Sequence, residues 1–172
     1  MLDGTQFEFV AAIESRYSTF KADALQLSPD EFVRWPNHEA YQGDWRVFPF
    51  LTPKPVAGVT EFCEPNRRRC PKTAVILDSF PEIVGAGFSR MAPGCHIYPH
   101  VDDVIPNVLR VHLGLVTDET SKMRIDGQII SWSEGKAIVF DGRVQHETAN
   151  LGKVPRTILI VDFDPTFREL PI

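Results

Sequence analysis

The feature that most constrains the fold is a series of short apolar runs between residues 73 and 163, each ended by a turn signal. Asp126-Gly127 separates two of these runs and is typical of a two-residue hairpin turn, while Glu134-Gly135 and Asp141-Gly142 mark further turns. The runs cover residues 74–77, 85–91, 96–101, 109–116, 123–125, 128–132, 137–140 and 157–163. Strands this short and this regularly spaced predict an antiparallel sandwich or barrel.

The first part of the chain follows a different pattern. Apolar residues recur at spacings of three and four between residues 7 and 27, which predicts an amphipathic helix. Ser28 and Pro29 fit the cap and the first residue of a second short helix. The segment 35–69 is rich in prolines and aromatics and predicts short strands joined by irregular loops. We therefore expect a single domain over residues 1–172, with a helical N-terminal part (1–34) and a β core (35–172).

Length and composition exclude several classes of protein. The chain has 172 residues, 43% of them hydrophobic and 24% charged, which is typical of one packed domain. Its net charge of -5 argues against a surface built to bind nucleic acid. No apolar stretch approaches the roughly 20 residues of a membrane span, and the first residues lack a signal-peptide pattern. We expect a cytoplasmic protein without nucleic acid or membrane partners; the sequence does not indicate its oligomeric state.

The three cysteines are Cys63, Cys70 and Cys95, and they form no CxxC pair. An odd number of cysteines suits a reducing compartment better than a disulfide framework. A bridge between Cys63 and Cys70 stays open as an alternative, because the sequence does not fix the distance between them.

Side chains suited to a metal ion lie close together in one predicted strand. Because alternate residues of a strand point to the same face, His96, Tyr98, His100 and Asp102 would line one side of a sheet. A further histidine, His146, follows a later turn. Two imidazoles and one carboxylate on one face of an octahedral ion leave three positions open, as in non-haem iron(II) oxygenases. Since His-x-Asp also arises by accident, a structural role is the stronger interpretation of that tripeptide alone.

Two later strands carry basic residues that can bind an anion. Arg156 opens the run 157–163, and its planar guanidinium suits the far carboxylate of a dicarboxylic cosubstrate whose oxo acid end chelates iron. In the run 109–116, Arg110, His112 and Gly114 share one face, which favours an anion site. Each has a plainer alternative: a surface arginine for Arg156 and Arg110, and a hydrogen-bonded core histidine for His112.

Several segments, taken in order, form a pattern that is more specific than any one of them. They are Phe88-Ser-Arg-Met-Ala-Pro-Gly-Cys-His-Ile-Tyr-Pro-His100, Leu109-Arg-Val-His-Leu-Gly-Leu115, Trp132-Ser-Glu-Gly-Lys136, Val139-Phe-Asp141, His146-Glu147 and residues 156–162, with looser matches at residues 43–45, 70–77 and 80–82. This pattern resembles the aspartyl/asparaginyl β-hydroxylase family. The resemblance implies a mainly β fold, the double-stranded β-helix, a cupin-like jelly roll with supporting N-terminal helices.

The resemblance also implies an activity and a site. Members of the family are dioxygenases that use Fe(II), 2-oxoglutarate and O2 to hydroxylate a C–H bond, releasing succinate and CO2. By matching motifs, His100 and His146 are the histidine ligands of the metal, and Ser89 and Arg156 hold the distal carboxylate of 2-oxoglutarate. The other positions that shape the cosubstrate pocket are Met91, Arg110 and His112, the last two near the carboxylate that chelates the metal.

Two positions depart from the animal aspartyl hydroxylases of this family. Those proteins have glycine where this chain has Asp102, and the aspartate would restore the ordinary triad of metal ligands. Asp103 is a rival ligand, but on an extended strand it points to the opposite face, so Asp102 is preferred. Val108 replaces a substrate-binding arginine, so the resemblance does not carry over recognition of an aspartyl side chain by that route.

We therefore expect a hydroxylase whose partner is a small-molecule or peptidyl amino-acid substrate, or a carrier-bound one. The alternatives that stay open are a non-catalytic cupin-like protein that binds a metal or an anion, a cupin-type metal-dependent isomerase or epimerase, and a structural β-sandwich. The first of these would use the same histidines and arginines as the hydroxylase, so turnover is needed to separate the two.

Overall fold

Two antiparallel β-sheets form the centre of the protein in the computed structural model, which describes residues 1–102 and 107–167. The strands are β1 (Val33–Arg34), β2 (Tyr41–Gln42), β3 (Trp45–Leu51), β4 (Ile83–Met91), β5 (His96–His100), β6 (Leu109–Val116), β7 (Ser121–Ile125), β8 (Gln128–Ser131), β9 (Ala137–Phe140), β10 (His146–Asn150) and β11 (Arg156–Phe163). The large sheet has the order β1-β3-β4-β11-β6-β9, and the small sheet has the order β2-β5-β10-β7-β8. The prediction of a mainly β, double-sheet fold is confirmed.

The helices are α1 (Glu8–Ser15), α2 (Tyr17–Leu25), α3 (Cys63–Arg69) and α4 (Pro71–Asp78). The predicted N-terminal helix is two helices, because the chain turns at Arg16, whose φ of -97° and ψ of 5° are not helical. Pro29–Glu31 forms the short helix predicted after Ser28, as a 3-10 turn. The backbone N–H of Ser28 donates to the Glu31 carboxylate at 2.8 Å, which caps that turn.

Strand alternation divides the apolar side chains into two layers. On the outer face of the large sheet, Val111 and Leu113 of β6 pack with Ile13 and Phe20 of the helices. The layer between the two sheets contains Met123, Ile125, Trp132, Phe140 and Ile158. Because burying one such side chain stabilises the fold by roughly 1.5–3 kcal/mol, apolar packing fixes the large sheet on both faces. The alternation predicted for β6 is confirmed, and it turns His112 toward Trp132 and Phe140 in the inner layer.

Two secondary-structure predictions before β4 are wrong. Residues 74–77, predicted as a strand, lie in α4, and α3 lies in a segment predicted as strands and loops. Helix α4 has Pro71 at its first position, and its buried residues Thr73, Ala74 and Leu77 recur at helical spacing. A short apolar run does not distinguish a strand from a buried turn of helix by periodicity.

The apolar pattern of the sequence does not predict strand β10, because the buried residues of this strand are polar. His146, Thr148 and Asn150 alternate into the interior. The Asn150 side-chain amide donates to the carbonyl oxygen of Met91 at 3.1 Å and to that of Val154 at 2.9 Å. These hydrogen bonds allow the Asn150 amide to be buried, and an apolar pattern does not reveal such a strand.

The predicted hairpin at Asp126-Gly127 is confirmed. Ile125 of β7 pairs with Gln128 of β8, and the two residues between them have φ values of 48° and 71°. Positive φ at both central positions defines a type I′ turn, whose twist matches that of the flanking strands.

The cysteines are unpaired within the described ranges, so the Cys63–Cys70 bridge is not formed. Burial raises the pKa of the Cys70 thiol to about 12 and that of Cys95 to about 11, so both stay protonated at neutral pH. Among residues 1–102 and 107–167, no helix combines the length and the apolar character needed to cross a bilayer.

Candidate active site

The three predicted metal ligands converge in the structure, and we call them the ligand triad: His100, Asp102 and His146. Strand β5 ends at His100 and β10 begins at His146, and the register sets these residues directly opposite each other, with ring centroids 4.3 Å apart. The Asp102 carboxylate oxygens lie 3.6 Å from Nε2 of His100 and 3.7 Å from Nε2 of His146. One ligand atom from each residue lies within 4.8 Å of the others. The structure thus brings together the residues that the sequence predicts as ligands; the rival, Asp103, lies outside the described residues.

Backbone carbonyls orient both imidazoles toward Asp102. Nδ1 of His100 is 2.7 Å from the carbonyl oxygen of Tyr98, and Nδ1 of His146 is 2.9 Å from that of Val144. Donation from Nδ1–H to these carbonyls leaves Nε2 of each ring as the free acceptor nitrogen. Metal-binding histidines typically form such a hydrogen bond through the ring nitrogen that does not contact the metal.

The prediction that His100 lies on the same face as His96 and Tyr98 is wrong, although those two side chains do share a face. In β5, Tyr98 and Pro99 separate Ile97 from His100, whereas in β10 Glu147 alone separates their partners Thr148 and His146. The extra residue in β5 forms a β-bulge, at which the pairing shifts. Upstream of the bulge, His96 faces outward and its Nε2 lies 2.7 Å from the Glu147 carboxylate. The extra residue reverses the alternation, and His100 therefore points inward although His96 does not.

Asp102 is held in its ionised form. Burial by itself would raise its pKa, but the Arg110 guanidinium, which donates to Oδ2 at 2.5 Å, and the neighbouring His100 hold the pKa well below its usual range. Burial lowers the pKa of His146, which favours a neutral ring. Burial would also lower the pKa of His100, but the nearby Asp102 carboxylate outweighs this and raises the pKa.

The ligand triad fits a divalent metal ion with open coordination positions. Two neutral imidazole nitrogens and one carboxylate form the facial donor set of non-haem iron(II) sites. The side chains of Asp102 and His146 are 13% and 3% exposed, whereas that of His100 is 33% exposed. Solvent therefore approaches the site from the side of His100.

Arg156, the first residue of β11, is a buried cation with no carboxylate partner among the described residues. Its Nη2 lies 3.4 Å from the Ser89 hydroxyl, its Nε has no hydrogen-bond partner there, and its guanidinium carbon lies 4.7 Å from the centre of the Trp132 ring. Burial lowers the pKa of Arg156 to about 9, so the guanidinium is still charged at neutral pH. Because an unpaired buried charge is costly, this position calls for a bound anion.

His112 and Trp132 add further unpartnered polar atoms to the same interior. Their rings stack with centroids 6.0 Å apart and an interplanar angle of 29°. Burial, together with the charge of Arg110, lowers the pKa of His112 well below its usual value, so the ring is neutral. In the described part of the chain, every buried side-chain nitrogen or oxygen without a hydrogen-bond partner belongs to His112, Trp132 or Arg156. Such atoms are rare in proteins, and their concentration at one place indicates a polar ligand.

Ser89 and Met91 of β4 lie next to this interior. Met91 pairs with Arg156 across the large sheet and is fully buried. The Ser89 hydroxyl accepts from Nε1 of Trp45 at 3.0 Å and has Arg156 as its second neighbour. Because Trp45 and Arg156 both direct N–H groups at the Ser89 oxygen, the hydroxyl proton of Ser89 is available to donate to a ligand.

Sequence reasoning missed Trp132 and Asp162 as parts of the site. Trp132 follows β8 and reads as an ordinary core aromatic, although its ring contacts Arg156 and His112. Asp162 is a carboxylate in an otherwise apolar run, on the same alternation as Arg156. A buried charge in such a run was the available signal, because a charge there requires a partner.

Because Gly142 has no side chain, there is room beside it for the Asp102 carboxylate. The backbone N–H of Asp102 donates to the carbonyl oxygen of Gly142 at 2.8 Å, and a methyl group at Gly142 would overlap the Asp102 carboxylate. We expect Gly142→Ala to displace this carboxylate and to weaken metal binding about tenfold or more, the effect of losing a supporting contact. Titration with Co(II), followed by visible absorption, measures the change. Unaltered affinity in the folded variant would contradict the assigned packing.

A cleft of about 410 Å³ opens beside His146. Its lining residues are Pro99, Arg124, Asp126, Gly127, Val144, Gln145, His146 and Glu147. In its wall, Glu147 is ion-paired with Arg124 and hydrogen-bonded with His96. The cleft is therefore a mostly polar surface groove that borders His146.

Comparison with known proteins finds relatives that are named as hydroxylases. A family model described as Aspartyl/Asparaginyl beta-hydroxylase matches residues 14–165. An ornithine lipid ester-linked acyl 2-hydroxylase of Rhizobium tropici is 38% identical over 175 residues, 94% of this chain and 59% of that protein. The aspartyl/asparaginyl beta-hydroxylase of Homo sapiens is 34% identical over 151 residues, 83% of this chain and 18% of that protein. A Pseudomonas putida prolyl-4-hydroxylase shares the fold, with a TM-score of 0.54 and 16% identity over 90% of this chain and 98% of that one.

Fold and site together define a double-stranded β-helix protein with a His–Asp–His cluster, and the predicted fold class is confirmed. The match over residues 14–165 identifies the family: the chain belongs to the aspartyl/asparaginyl β-hydroxylases, as its ordered motifs predict. It spans about three fifths of the length of the Rhizobium relative and under one fifth of the human one.

Proposed function

We propose that this chain is an Fe(II)- and 2-oxoglutarate-dependent dioxygenase that hydroxylates an unactivated C–H bond. The observation that carries the proposal is a ligand triad combined with an interior whose unpartnered polar atoms belong to His112, Trp132 and Arg156. The triad offers ligands for iron, and the interior offers donors and a positive charge for a dicarboxylate. Membership of the β-hydroxylase family supports the same reaction class.

Different residues would bind the metal and the cosubstrate. The ligand triad would hold the iron, and Arg156 with Ser89 would bind the distal carboxylate of 2-oxoglutarate. Met91, Arg110 and His112 would form the wall of the cosubstrate pocket. When bound, iron and 2-oxoglutarate supply the oxidising chemistry that activates O2 and hydroxylates the substrate, with succinate and CO2 as coproducts.

The surroundings of the pocket favour tight binding of an anion. Arg156 is 2% exposed, so water does not screen its charge, and an ion pair there is stronger than one at the surface. The Trp132 ring covers the guanidinium in a cation–π contact, which favours its charged form. Phe140 and Ile158 close the interior with apolar surface, which also keeps water away from the reacting groups.

The test is succinate release by the purified protein supplied with Fe(II), 2-oxoglutarate and air, with controls that omit each component in turn. Anaerobic titration with Fe(II) and 2-oxoglutarate should give a weak visible charge-transfer band. A non-catalytic cupin-like protein would bind both compounds and release no succinate. An isomerase would turn over its substrate without O2. Either result contradicts the proposal.

The proposed substrate is an amino acid, or an amino-acid residue in a peptide or carrier-bound molecule. Val108 is buried and uncharged, so it offers no partner to an aspartyl carboxylate. The Rhizobium relative is named for the ester-linked acyl chain of ornithine lipid, so a lipid-linked acyl chain is the second candidate. A turnover screen of amino acids, peptides and ornithine lipid, each scored by the succinate it releases, decides between these classes.

We also propose that the protein works in the cytoplasm without nucleic acid or membrane partners. The unpaired thiols of the described residues support a reducing compartment. The net charge of -5 disfavours binding to nucleic acid. Cell fractionation tests the location, and recovery in the membrane fraction would contradict it.

A further inference from the structure

Behind the ligand triad, Arg110 connects two buried carboxylates. Its Nε donates to Oδ1 of Asp162 at 2.7 Å and its Nη2 to Oδ2 at 3.0 Å, which makes a bidentate pair. Its Nη1 donates to Oδ2 of Asp102 at 2.5 Å. One guanidinium therefore ties a proposed metal ligand to a carboxylate on a neighbouring strand.

The backbone fixes the position of Asp162. Strands β6 and β11 are antiparallel neighbours, and their register sets Asp162 directly opposite Arg110. On its other side Asp162 pairs with Gly85 of β4, where an added side chain would come within 3.1 Å of the Asp162 carboxylate. Asp162 is 5% exposed. The position of the Asp162 carboxylate is therefore fixed, and its hydrogen bonds can hold the Arg110 guanidinium in one orientation.

The charges indicate a second task for Asp162. A guanidinium in contact with Asp102 would, by itself, cancel the negative charge that attracts a divalent cation. With Asp162 included, two carboxylates and one guanidinium leave a net charge of -1. Asp162 therefore allows Arg110 to orient Asp102 without removing the charge that the metal requires.

We propose that Asp162 is a positioning residue for the metal site that acts through Arg110, aiming the Asp102 carboxylate at the metal and neutralising the guanidinium beside it. The inference rests on the proposed function, because it presumes that the ligand triad binds a metal ion. It also gives Arg110 a role distinct from contact with 2-oxoglutarate. If the Asp162–Arg110 pair only stabilises the fold, the metal affinity of a folded variant does not depend on it.

The first test is Co(II) titration of Asp162→Asn without cosubstrate, followed by visible absorption. The change keeps the shape of the side chain, removes its charge and weakens the bidentate pair. We expect the dissociation constant for Co(II) to rise about 10- to 100-fold, the effect of losing an outer-shell partner. The matched control is Asp78→Asn, which breaks the Arg67–Asp78 ion pair of the helical layer and should leave Co(II) affinity unchanged.

A second variant keeps the inference testable if Asp162→Asn does not fold. Arg110→Lys preserves the charge but lacks the planar fork that engages two carboxylates. We expect it to weaken Co(II) binding and to alter the Co(II) absorption spectrum, since Asp102 loses its orientation. A residue that only contacts cosubstrate would behave differently, with the affinity for 2-oxoglutarate falling and that for Co(II) unchanged.

The outcomes separate this inference from the proposed function. Wild-type Co(II) affinity in folded Asp162→Asn, or in Arg110→Lys, overturns the positioning role and leaves the dioxygenase proposal standing. Failure of the wild-type protein to bind Co(II) overturns both. Weakened Co(II) binding in both variants, or in Arg110→Lys if Asp162→Asn does not fold, with Asp78→Asn unchanged, supports the relay from Asp162 through Arg110 to Asp102.

Discussion

Replacing Asp102 by alanine is expected to reduce substrate-stimulated succinate formation to background. The variant loses the carboxylate of the ligand triad and leaves Arg110, paired only with Asp162, next to two imidazoles. Since outer-shell changes alone cost about 10- to 100-fold in metal affinity, loss of a ligand should cost more than about 100-fold. Fe(II) titration under anaerobic conditions and succinate assays measure the two effects separately.

The neighbouring Asp103 supplies the matched comparison, because Asp103→Ala removes an adjacent carboxylate of the same kind. We expect this variant to keep wild-type metal affinity and turnover. The reverse pattern, with Asp103→Ala inactive and Asp102→Ala active, would make Asp103 the ligand. Full activity in both variants would mean that neither carboxylate is required as a metal ligand.

Replacing Arg156 by methionine is expected to have opposite effects on binding and on stability. Loss of the guanidinium removes the ion pair proposed for 2-oxoglutarate, and binding of the cosubstrate should weaken by more than about 100-fold, as expected for a buried charge pair worth about 3–5 kcal/mol. The ligand-free protein should become more stable by about 1–4 kcal/mol, because a buried ionic group is replaced by an apolar one of similar length.

Calorimetric titration with 2-oxoglutarate and urea denaturation without ligand measure these two changes. Arg143→Met is the control: Arg143 is exposed and paired with Asp141, so both quantities should stay near the wild-type values. Retention of cosubstrate affinity in Arg156→Met would exclude the proposed carboxylate contact. A clear loss of stability would show that Arg156 has a partner within the fold.

The fold and part of the site follow from local sequence rules. Strand β6 alternates in sequence, so Arg110 and His112 could be assigned to one face, whereas only the family resemblance indicates a pocket for Arg156. The Asp126-Gly127 turn is equally local, because positive φ at two successive residues favours this pair. These predictions needed no knowledge of which strands pair.

The remaining features depend on tertiary contacts. Strand β10 is polar on its buried side, and only partners such as the carbonyl oxygen of Met91 make that burial favourable. The apolar run 74–77 suits either a helix or a strand, and packing beneath the large sheet decides between them. The partnership of Arg110 with Asp162 depends on the register of β6 against β11, which the separate patterns do not specify.

The bulge in β5 allows the length of this strand to change without moving His100 away from the metal site. Ile97 lies before the extra residue and packs in the interior, whereas His100 lies after it and faces His146. Loss of one codon within Tyr98-Pro99 would leave His100 two residues after Ile97, so regular alternation would turn both side chains to the interior and keep His100 opposite His146. A lineage could thus lose the bulge in a single deletion and keep its metal site.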